Sequence, residues 1–260
     1  MKRIPDSLET LEVESQNNVL TITLNRPDRL NAFNDRMIDE LHGVWQAVRD
    51  DDQIYAVVLR ASEGRAFCVG SDQKDRLTFP DNVWSRRDPG VAMGPKSNEV
   101  WKPVICAVHG MCAGGAFYLI NESDIIIAAE TATFFDPHVS WGMVSALEPA
   151  GLLRRIPIGE VMRWALMSLD ERMSARRAHE IGLVSEVVAE ERLWERAHEI
   201  AAKVAAKHPS AVQGTVKAIW EGSELSRRQA QMIGLNYSTI GNPISRDSFE
   251  PGRQAEWELR

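Results

Sequence analysis

The sequence predicts an α/β fold, and three features of the chain indicate this class. Residues 19–60 read as a strand, an amphipathic helix and a second strand, which is the order of a βαβ-like unit. Two apolar runs, residues 64–72 and 102–116, each end in glycine and then open what reads as a helix. From Glu190 onward the apolar spacing is helical. We therefore expect a core of strands and helices followed by an α-helical region.

Composition and charge exclude several classes of protein. The 260 residues are 44% hydrophobic and 26% charged, which suits one large core or a core with a small appendage. The net charge of −7 argues against binding to nucleic acid or to an anionic membrane. The three cysteines lack Cys-x-x-Cys spacing, and there is neither a signal segment nor a run of about 18 apolar residues. We expect a cytoplasmic protein with reduced thiols and no metal.

The N-terminal elements follow from alternation and from helical spacing. Residues 11–24 predict two strands around a turn at 16–18, because β-branched residues alternate with leucine and isoleucine. A helix is predicted from residue 34 to the acidic run 50–52, since apolar side chains recur at three- and four-residue steps. A buried strand at 55–60 then leads into the first glycine run.

The middle of the chain contains a long irregular segment, residues 76–99. A loop of this length inside a compact domain often forms a lid or a pocket wall. Phe79, Trp84 and Met93 give the segment apolar surface to bury, which favours a pocket wall over disorder. Beyond it, the predicted elements are a helix at 116–122, strands at 124–129 and 132–135, helices at 159–168 and 174–181, and a strand at 184–188.

Capping residues and helix breakers set the boundaries in the second half of the chain. Ser174 is a predicted N-cap and Gly182 a predicted helix end. Pro209, Gly222 and a turn at 241–243 are expected to divide the C-terminal region into separate helices. His109 is interpreted as a structural residue at a strand end, and Trp141 as core or pocket wall.

The two glycine runs are also candidates for ligand binding. A strand that ends in glycine and opens a helix can leave backbone N–H groups directed at a ligand. Two such donors that converge on one point would form an oxyanion hole. Two ordinary strand-to-helix turns, with glycine used only for its permissive backbone, explain the same pattern.

Five segments occur in a fixed order along the chain: LNRP at 24–27, RAFCVGSD at 65–72, KPVI at 102–105 running on to Gly115, SDIIIAAETATF at 123–134, and MSA at 173–175 running on to IGLV at 181–184. In this order they resemble the crotonase superfamily, also called the enoyl-CoA hydratase/isomerase family. The resemblance implies a spiral of repeated ββα units over residues 1–197. It implies a C-terminal helical region, residues 198–260, that packs trimers, which often pair into hexamers. The implied ligand is an acyl-CoA thioester, with coenzyme A as part of the substrate and no other cofactor.

Carried over by position, the resemblance places the two oxyanion donors at the amides of Ser71 and Gly115. It places Arg26 and Arg29 near the CoA phosphates, where they would supply the positive charge that an acidic protein lacks. Two solvated loop arginines are the alternative. The same resemblance assigns substrate binding to three further residues, Ala32, Val69 and Asp72.

The chain departs from the family at two catalytic positions. Hydratases of this family hold and activate one water with two glutamates, and those positions here hold Tyr118 and His138. Tyrosine, with a reference pKa near 10, is a poor base at neutral pH, whereas histidine, near 6.5, can act as an acid or a base. Classical hydration is therefore doubtful, and we expect lyase or isomerase chemistry on an acyl-CoA.

Glu148 is a third candidate. Some family members that hydrolyse β-diketones pair a histidine at the His138 position with an acidic residue about ten positions on, and His138 and Glu148 resemble that arrangement. Alternatively Glu148 caps a helix or faces a neighbouring subunit. Three hypotheses follow: an acyl-CoA enzyme using His138 with Tyr118 or Glu148, a hydrolase of a β-dicarbonyl compound, and a non-catalytic acyl-CoA-binding protein. Titratable groups at both catalytic positions favour chemistry.

Overall fold

The computed structural model describes residues 4, 7–79, 81–85, 88–246 and 257–260. This part of the chain forms ten strands and eight α-helices. In chain order they are β1 Leu11–Gln16, β2 Val19–Leu24, α1 Asp35–Asp50, β3 Ala56–Ala61, β4 Ala66–Cys68, β5 Val104–Val108, β6 Met111–Ala113, α2 Phe117–Glu122, β7 Ile125–Ala129, β8 Thr133–Phe135, α3 Leu147–Leu152, α4 Ile158–Met167, β9 Met173–Ser174, α5 Ala175–Glu180, β10 Glu186–Val188, α6 Leu193–Ala205, α7 Pro209–Ser223 and α8 Arg227–Ser245.

The strands form two sheets. The larger has the order β1-β2-β3-β5-β7-β10 and is parallel except at the β1–β2 hairpin. The smaller has the order β4-β6-β8-β9 and is parallel except at β8–β9. The consecutive pairs β3–β4, β5–β6 and β7–β8 each contribute one strand to each sheet. The predicted α/β class and the spiral of repeated ββα units are therefore confirmed.

The central strands of the larger sheet are buried on both faces. All six residues of β2 are buried, and its apolar residues belong to two clusters on opposite faces of the strand. Leu20, Ile22 and Leu24 join the cluster that contains the apolar face of α1, whereas Val19 joins the cluster covered by α6. This two-residue alternation is what a strand packed between two layers requires.

The predicted cap at Ser174 is confirmed, and the helix predicted from residue 34 has a cap of the same kind. Asn34 precedes α1, and its side-chain oxygen accepts a hydrogen bond from the N–H of Met37 at 3.1 Å. Ser174 precedes α5 and accepts from the N–H of Arg177 at 3.2 Å. Each cap provides an acceptor for an N–H group that has none within its helix.

Two expectations were wrong. The first glycine run does not open a helix: Ser71 forms a single parallel bridge with Phe33, and residues 72–79 contain no helical turn. The hydrogen bonds between Phe33 and residues 70 and 72 hold this segment in an extended conformation, not a helical one.

The expected turn at 241–243 lies inside α8, which continues through Pro243 to Ser245. A proline removes one N–H donor, and at this point only the last turn of a 19-residue helix is affected.

Residues Met1–Ala205 and Ala206–Arg260 form two compact units. The expected boundary at 197/198 falls within α6. In the second unit α7 and α8 pack against each other, and Ser226 and Gln229 form a capping box at the start of α8. In the described residues, no helix has both the length and the apolar character needed to cross a membrane.

Candidate active site

The two glycine turns lie in direct contact. Gly70 has a left-handed backbone (φ +88°), and a Cβ atom there would lie 3.0 Å from the amide nitrogen of Gly115. A Cβ atom on Gly115 would lie 2.6 Å from Cζ of Phe33, which is closer than real Cβ atoms approach a neighbour. Glycine is therefore required at both positions, and this brings Ser71 and Gly115 together.

The backbone around Ser71 is held on both sides by Phe33. The N–H of Phe33 donates to Gly70 O at 2.9 Å, and the N–H of Asp72 donates to Phe33 O at 2.8 Å. Among the described residues, none accepts a hydrogen bond from the amide of Ser71 or of Gly115. A bound ligand can therefore serve as the acceptor for both groups.

A cavity of about 170 Å³ adjoins the two turns. It is lined by all five residues that the sequence singles out for catalysis: Ser71, Gly115, Tyr118, His138 and Glu148. Part of the irregular segment 76–99 forms another wall, with Phe79, Asp88 and Gly90 among the lining residues. Met93 is fully buried while Trp84 is 93% exposed, so the pocket-wall interpretation applies to part of the segment only.

His138 lies just after β8 and is oriented by Asp136, which is fully buried. The Nδ1–H of His138 donates to Oδ1 of Asp136 at 2.5 Å, and Nε2 lies 3.8 Å from Oε1 of Glu148. The hydrogen bond from the ring to Asp136 raises the pKa of His138, and it outweighs burial, which acts in the opposite direction. The negative charges of Asp136, Glu148 and Asp88 add to the increase in pKa.

Glu148 lies in the first turn of α3 and is 5% exposed. Burial raises the pKa of this carboxyl above its usual value, and a hydrogen bond from its own backbone N–H and the positive charge of His138 oppose the shift only in part. In the described residues, no side chain donates a hydrogen bond to this carboxyl. Glu148 is thus a poorly solvated carboxyl group directed at the histidine.

Tyr118 has a different environment from that expected of a proton acceptor. Its hydroxyl donates to Oδ2 of Asp88 at 2.9 Å. Burial, and then the charges of Glu148 and Asp88, raise the pKa of Tyr118, so the phenol stays protonated at neutral pH. Neither Asp88 nor Asp136 is predicted from the sequence as a residue of the site. Asp136 could have been found from its position two residues before His138, but nothing in the irregular segment marks Asp88.

A second cavity, of about 490 Å³, lies beside the first and shares Val69, Ser71 and Trp141 with it. Arg29 and Asp72, which were expected to bind substrate, both line this cavity and are charged. Arg65 and Lys74 also line it and carry positive charge. Ala32 also lines this cavity.

Arg26 is bonded to the wall of the second cavity. Its guanidinium donates to Oδ2 of Asp72 at 3.0 Å and to the carbonyl of Ala32. Burial alone would raise the pKa of Asp72, but amide hydrogen bonds from Lys74 and Asp75 and the Arg26 charge together lower it below its usual value. Arg26 thus stabilises the segment that carries Ser71.

Comparison with known proteins shows the family of the chain. Residues 14–260 match the family model for enoyl-CoA hydratase/isomerase. The chain belongs to this family, the crotonase superfamily. It is 34% identical over 221 residues, 82% of each chain, to the 1,2-epoxyphenylacetyl-CoA isomerase of Escherichia coli (strain K12). It is 33% identical over 261 residues to a probable enoyl-CoA hydratase of Rhizobium meliloti (strain 1021), covering 98% of this chain and 100% of the relative.

A solved structure shows the same similarity in three dimensions. The crystal structure of an enoyl-CoA hydratase/isomerase from Mycobacterium paratuberculosis superposes with a TM-score of 0.86 at 37% identity, covering 98% of this chain and 100% of the other.

In this member of the enoyl-CoA hydratase/isomerase family, His109 is buried at the end of β5 and packs edge-on against Trp194, with 6.4 Å between ring centroids. It lines neither cavity, in agreement with a structural role.

The geometry predicts the titration of His138. Its imidazole should titrate above 6.5 in a histidine-detected NMR titration of the parent protein. Asp136→Asn should lower this pKa more than Glu148→Gln does, because the ring donates directly to Asp136. Glu122→Gln, which alters a carboxylate bonded to Ser97, is the control and should leave the titration unchanged. A parent pKa at or below 6.5 would contradict the observed hydrogen bonding.

Proposed function

We propose that this protein is an acyl-CoA enzyme that stabilises the enolate or oxyanion of a thioester and moves a proton with His138. One observation carries the proposal: His138, oriented by Asp136, lines the same cavity as Ser71 and Gly115, whose amides have no acceptor in the described part of the chain. A proton-transfer group and two oxyanion donors are the parts that this chemistry needs.

The two amides would act on the thioester oxygen. This oxygen gains negative charge when an enolate or a tetrahedral adduct forms. Donors that are already in place stabilise that charge without reorganising, and loss of one typically costs about 10²–10³ in rate. The glycine contact keeps Ser71 and Gly115 in place before any ligand binds.

His138 would exchange the proton through Nε2. Donation from Nδ1–H to Asp136 leaves Nε2 as the nitrogen that faces Glu148 and the cavity. When Nε2 takes a proton from the α-carbon, Asp136 and Glu148 stabilise the imidazolium and the Ser71 and Gly115 amides stabilise the enolate. Return of the proton at another carbon gives isomerisation, and loss of a β-substituent gives lyase chemistry. Tyr118 and His138 stand where hydratases of the family have glutamates, and the Tyr118 hydroxyl is already a donor to Asp88.

The larger cavity is the proposed site for the CoA portion. Arg29, Arg65 and Lys74 line it and would supply positive charge for phosphate groups in a chain of net charge −7.

We also propose that the protein assembles as a homotrimer or hexamer. Large apolar side chains are exposed on α4, and others are exposed on α8; exposed apolar groups of this kind often mark protein–protein interfaces. They are Ile158, Met162 and Leu166 on α4, and Met232, Leu235, Ile240 and Ile244 on α8.

A second candidate function is hydrolysis of a carbon–carbon bond in a β-diketone. The observation in its favour is the 3.8 Å separation between Nε2 of His138 and Oε1 of Glu148. A buried carboxylate beside an imidazole makes the imidazole a stronger base, which could then activate water. A non-catalytic acyl-CoA binder has less support, since perturbed titratable groups gather in the cavity.

Enolate formation can be measured without knowing the natural substrate. In D₂O the parent protein should exchange the α-protons of phenylacetyl-CoA, with a rate that rises with pH through the raised pKa of His138, because only the neutral imidazole accepts a proton. His138→Gln should lower this rate by about 10²-fold and leave the Kd nearly unchanged, and Glu148→Gln should cost less. His42→Gln, outside both cavities, is the control. Equal exchange by His138→Gln and the parent would make His138 a structural residue.

Hydration of crotonyl-CoA should be slow. Syn hydration needs one group to activate water and another to protonate the α-carbon, and the two-glutamate arrangement is replaced here by Tyr118 and His138. The assay is loss of enoyl absorbance, run beside a family member that carries both glutamates. A kcat of roughly 10 s⁻¹ or more would show that these replacements still support hydration.

The ligand class can be read from thermal stability. Short and medium acyl-CoAs should raise the Tm by mass action. Arg29→Ala should weaken this effect, more at low salt than at high salt, because its charge acts across a solvated cleft. Arg176→Ala, on an exposed face of α5, is the matched control. If free β-diketones raise the Tm and acyl-CoAs do not, the hydrolase is the correct function.

A further inference from the structure

One wall of the smaller cavity is formed by residues 88–90, and the chain that follows them is fixed in the core. Met93 is fully buried, and Nε1–H of Trp45 donates to its carbonyl oxygen at 2.6 Å. The side-chain amide of Asn98 donates to the carbonyl oxygens of Ala92 and Gly94, each at 2.8 Å. The C-terminal end of this wall is therefore rigidly attached beside α1.

The cavity end of the wall is held by Asp88, whose two oxygens have different partners. Oδ1 accepts from the N–H of Gly90 at 2.7 Å and caps the 3₁₀ turn Pro89–Ala92. Oδ2 accepts from the Tyr118 hydroxyl at 2.9 Å. Gly90 lies so close to the Tyr118 ring that a Cβ atom there would collide with it. One carboxylate thus folds the turn and also ties it to α2.

The described residues just before Asp88 bury little surface. Residues 81–84 are exposed, and Trp84 is 93% exposed. Val91, within the turn, is 53% exposed. The contacts of Asp88 and Gly90 with Tyr118 are therefore the main attachment of the cavity end of this wall in the part of the chain that the structure describes.

We propose that Tyr118 and Asp88 form a strut that fixes the wall of the acyl cavity and so limits the length of the acyl group. This inference rests on the proposed function, because it takes the 170 Å³ cavity as the site of the acyl group. Tyr118 acts here as a positioning residue: its hydroxyl is bonded to Asp88 and its ring supports Gly90. Without the hydrogen bond, the turn can move outward while Met93 remains anchored, and the cavity lengthens.

The test measures the Kd of butyryl-CoA and of octanoyl-CoA with the full-length protein. These saturated ligands have no β-substituent and no double bond, so α-proton exchange leaves them chemically unchanged. The parent should prefer butyryl-CoA. Tyr118→Phe, which keeps the ring but removes the hydroxyl, should reduce that preference by about 5-fold or more, and Asp88→Ala should change it in the same direction. Val91→Ala, in the same turn with an exposed side chain, should leave the preference unchanged.

Hydrogen exchange of the free protein gives a second, ligand-independent measurement. Tyr118→Phe should speed amide exchange in residues 88–93 but not in α2, because only the attachment of the turn is lost. Unchanged exchange, or an unchanged ratio of Kd values in both strut variants, would overturn the proposal. If Tyr118 only transferred protons, the ratio of the two Kd values would be unchanged in the Tyr118→Phe variant. If no acyl-CoA binds the parent, the proposed function fails, and the exchange measurement still decides whether the strut exists.

Discussion

The close contact between the turns at Gly70 and Gly115 is the constraint on which the site depends. A side chain at either position would displace the opposite turn or the Phe33 ring. Because the turns belong to consecutive ββα units, this contact also fixes how one unit lies on the next. Neither the Ser71 amide nor the Gly115 amide has an acceptor among the described residues, and both residues line the cavity that also contains His138.

The electrostatics of the site are set by a group of carboxylates around one histidine, His138. Asp136 and Glu148 are almost completely buried, and Asp88 lies at the edge of the same cavity. Buried carboxylates are costly unless a positive charge or a donor compensates them. His138 is placed to provide this compensation, and the hydrogen bond to Asp136 therefore raises its pKa. The pKa of Glu148 is raised for a different reason, its burial. Such a cluster costs stability, and its location beside the two amides suits catalysis better than folding.

Tyr118 and His138 have different kinds of partner in the cavity. His138 places a titratable ring there and donates to the buried carboxylate of Asp136. Tyr118, on α2, directs its hydroxyl to the wall that carries Asp88, which accepts the hydrogen bond. One residue therefore offers a group that can exchange a proton, and the other joins two walls of the cavity.

Most of the strands and helices, the cap at Ser174 and the candidate residues Ser71, Gly115, Tyr118, His138 and Glu148 could be predicted from the sequence. The short elements α3 and β9 were not predicted. Local periodicity and capping specify such elements, and the motifs around the glycines specify such residues. The roles of Asp136, Asp88 and Arg26 were decided by tertiary structure. Each role depends on which side chain lies within hydrogen-bonding distance of another, over sequence separations of 2, 30 and 46 residues. Asp136 was close enough in sequence to be noticed, whereas the partners of Asp88 and Arg26 come from other units of the spiral. The sequence determined which groups are present, and only the packing of the units determined which of them meet, because hydrogen bonding and burial depend on distances that chain order does not fix.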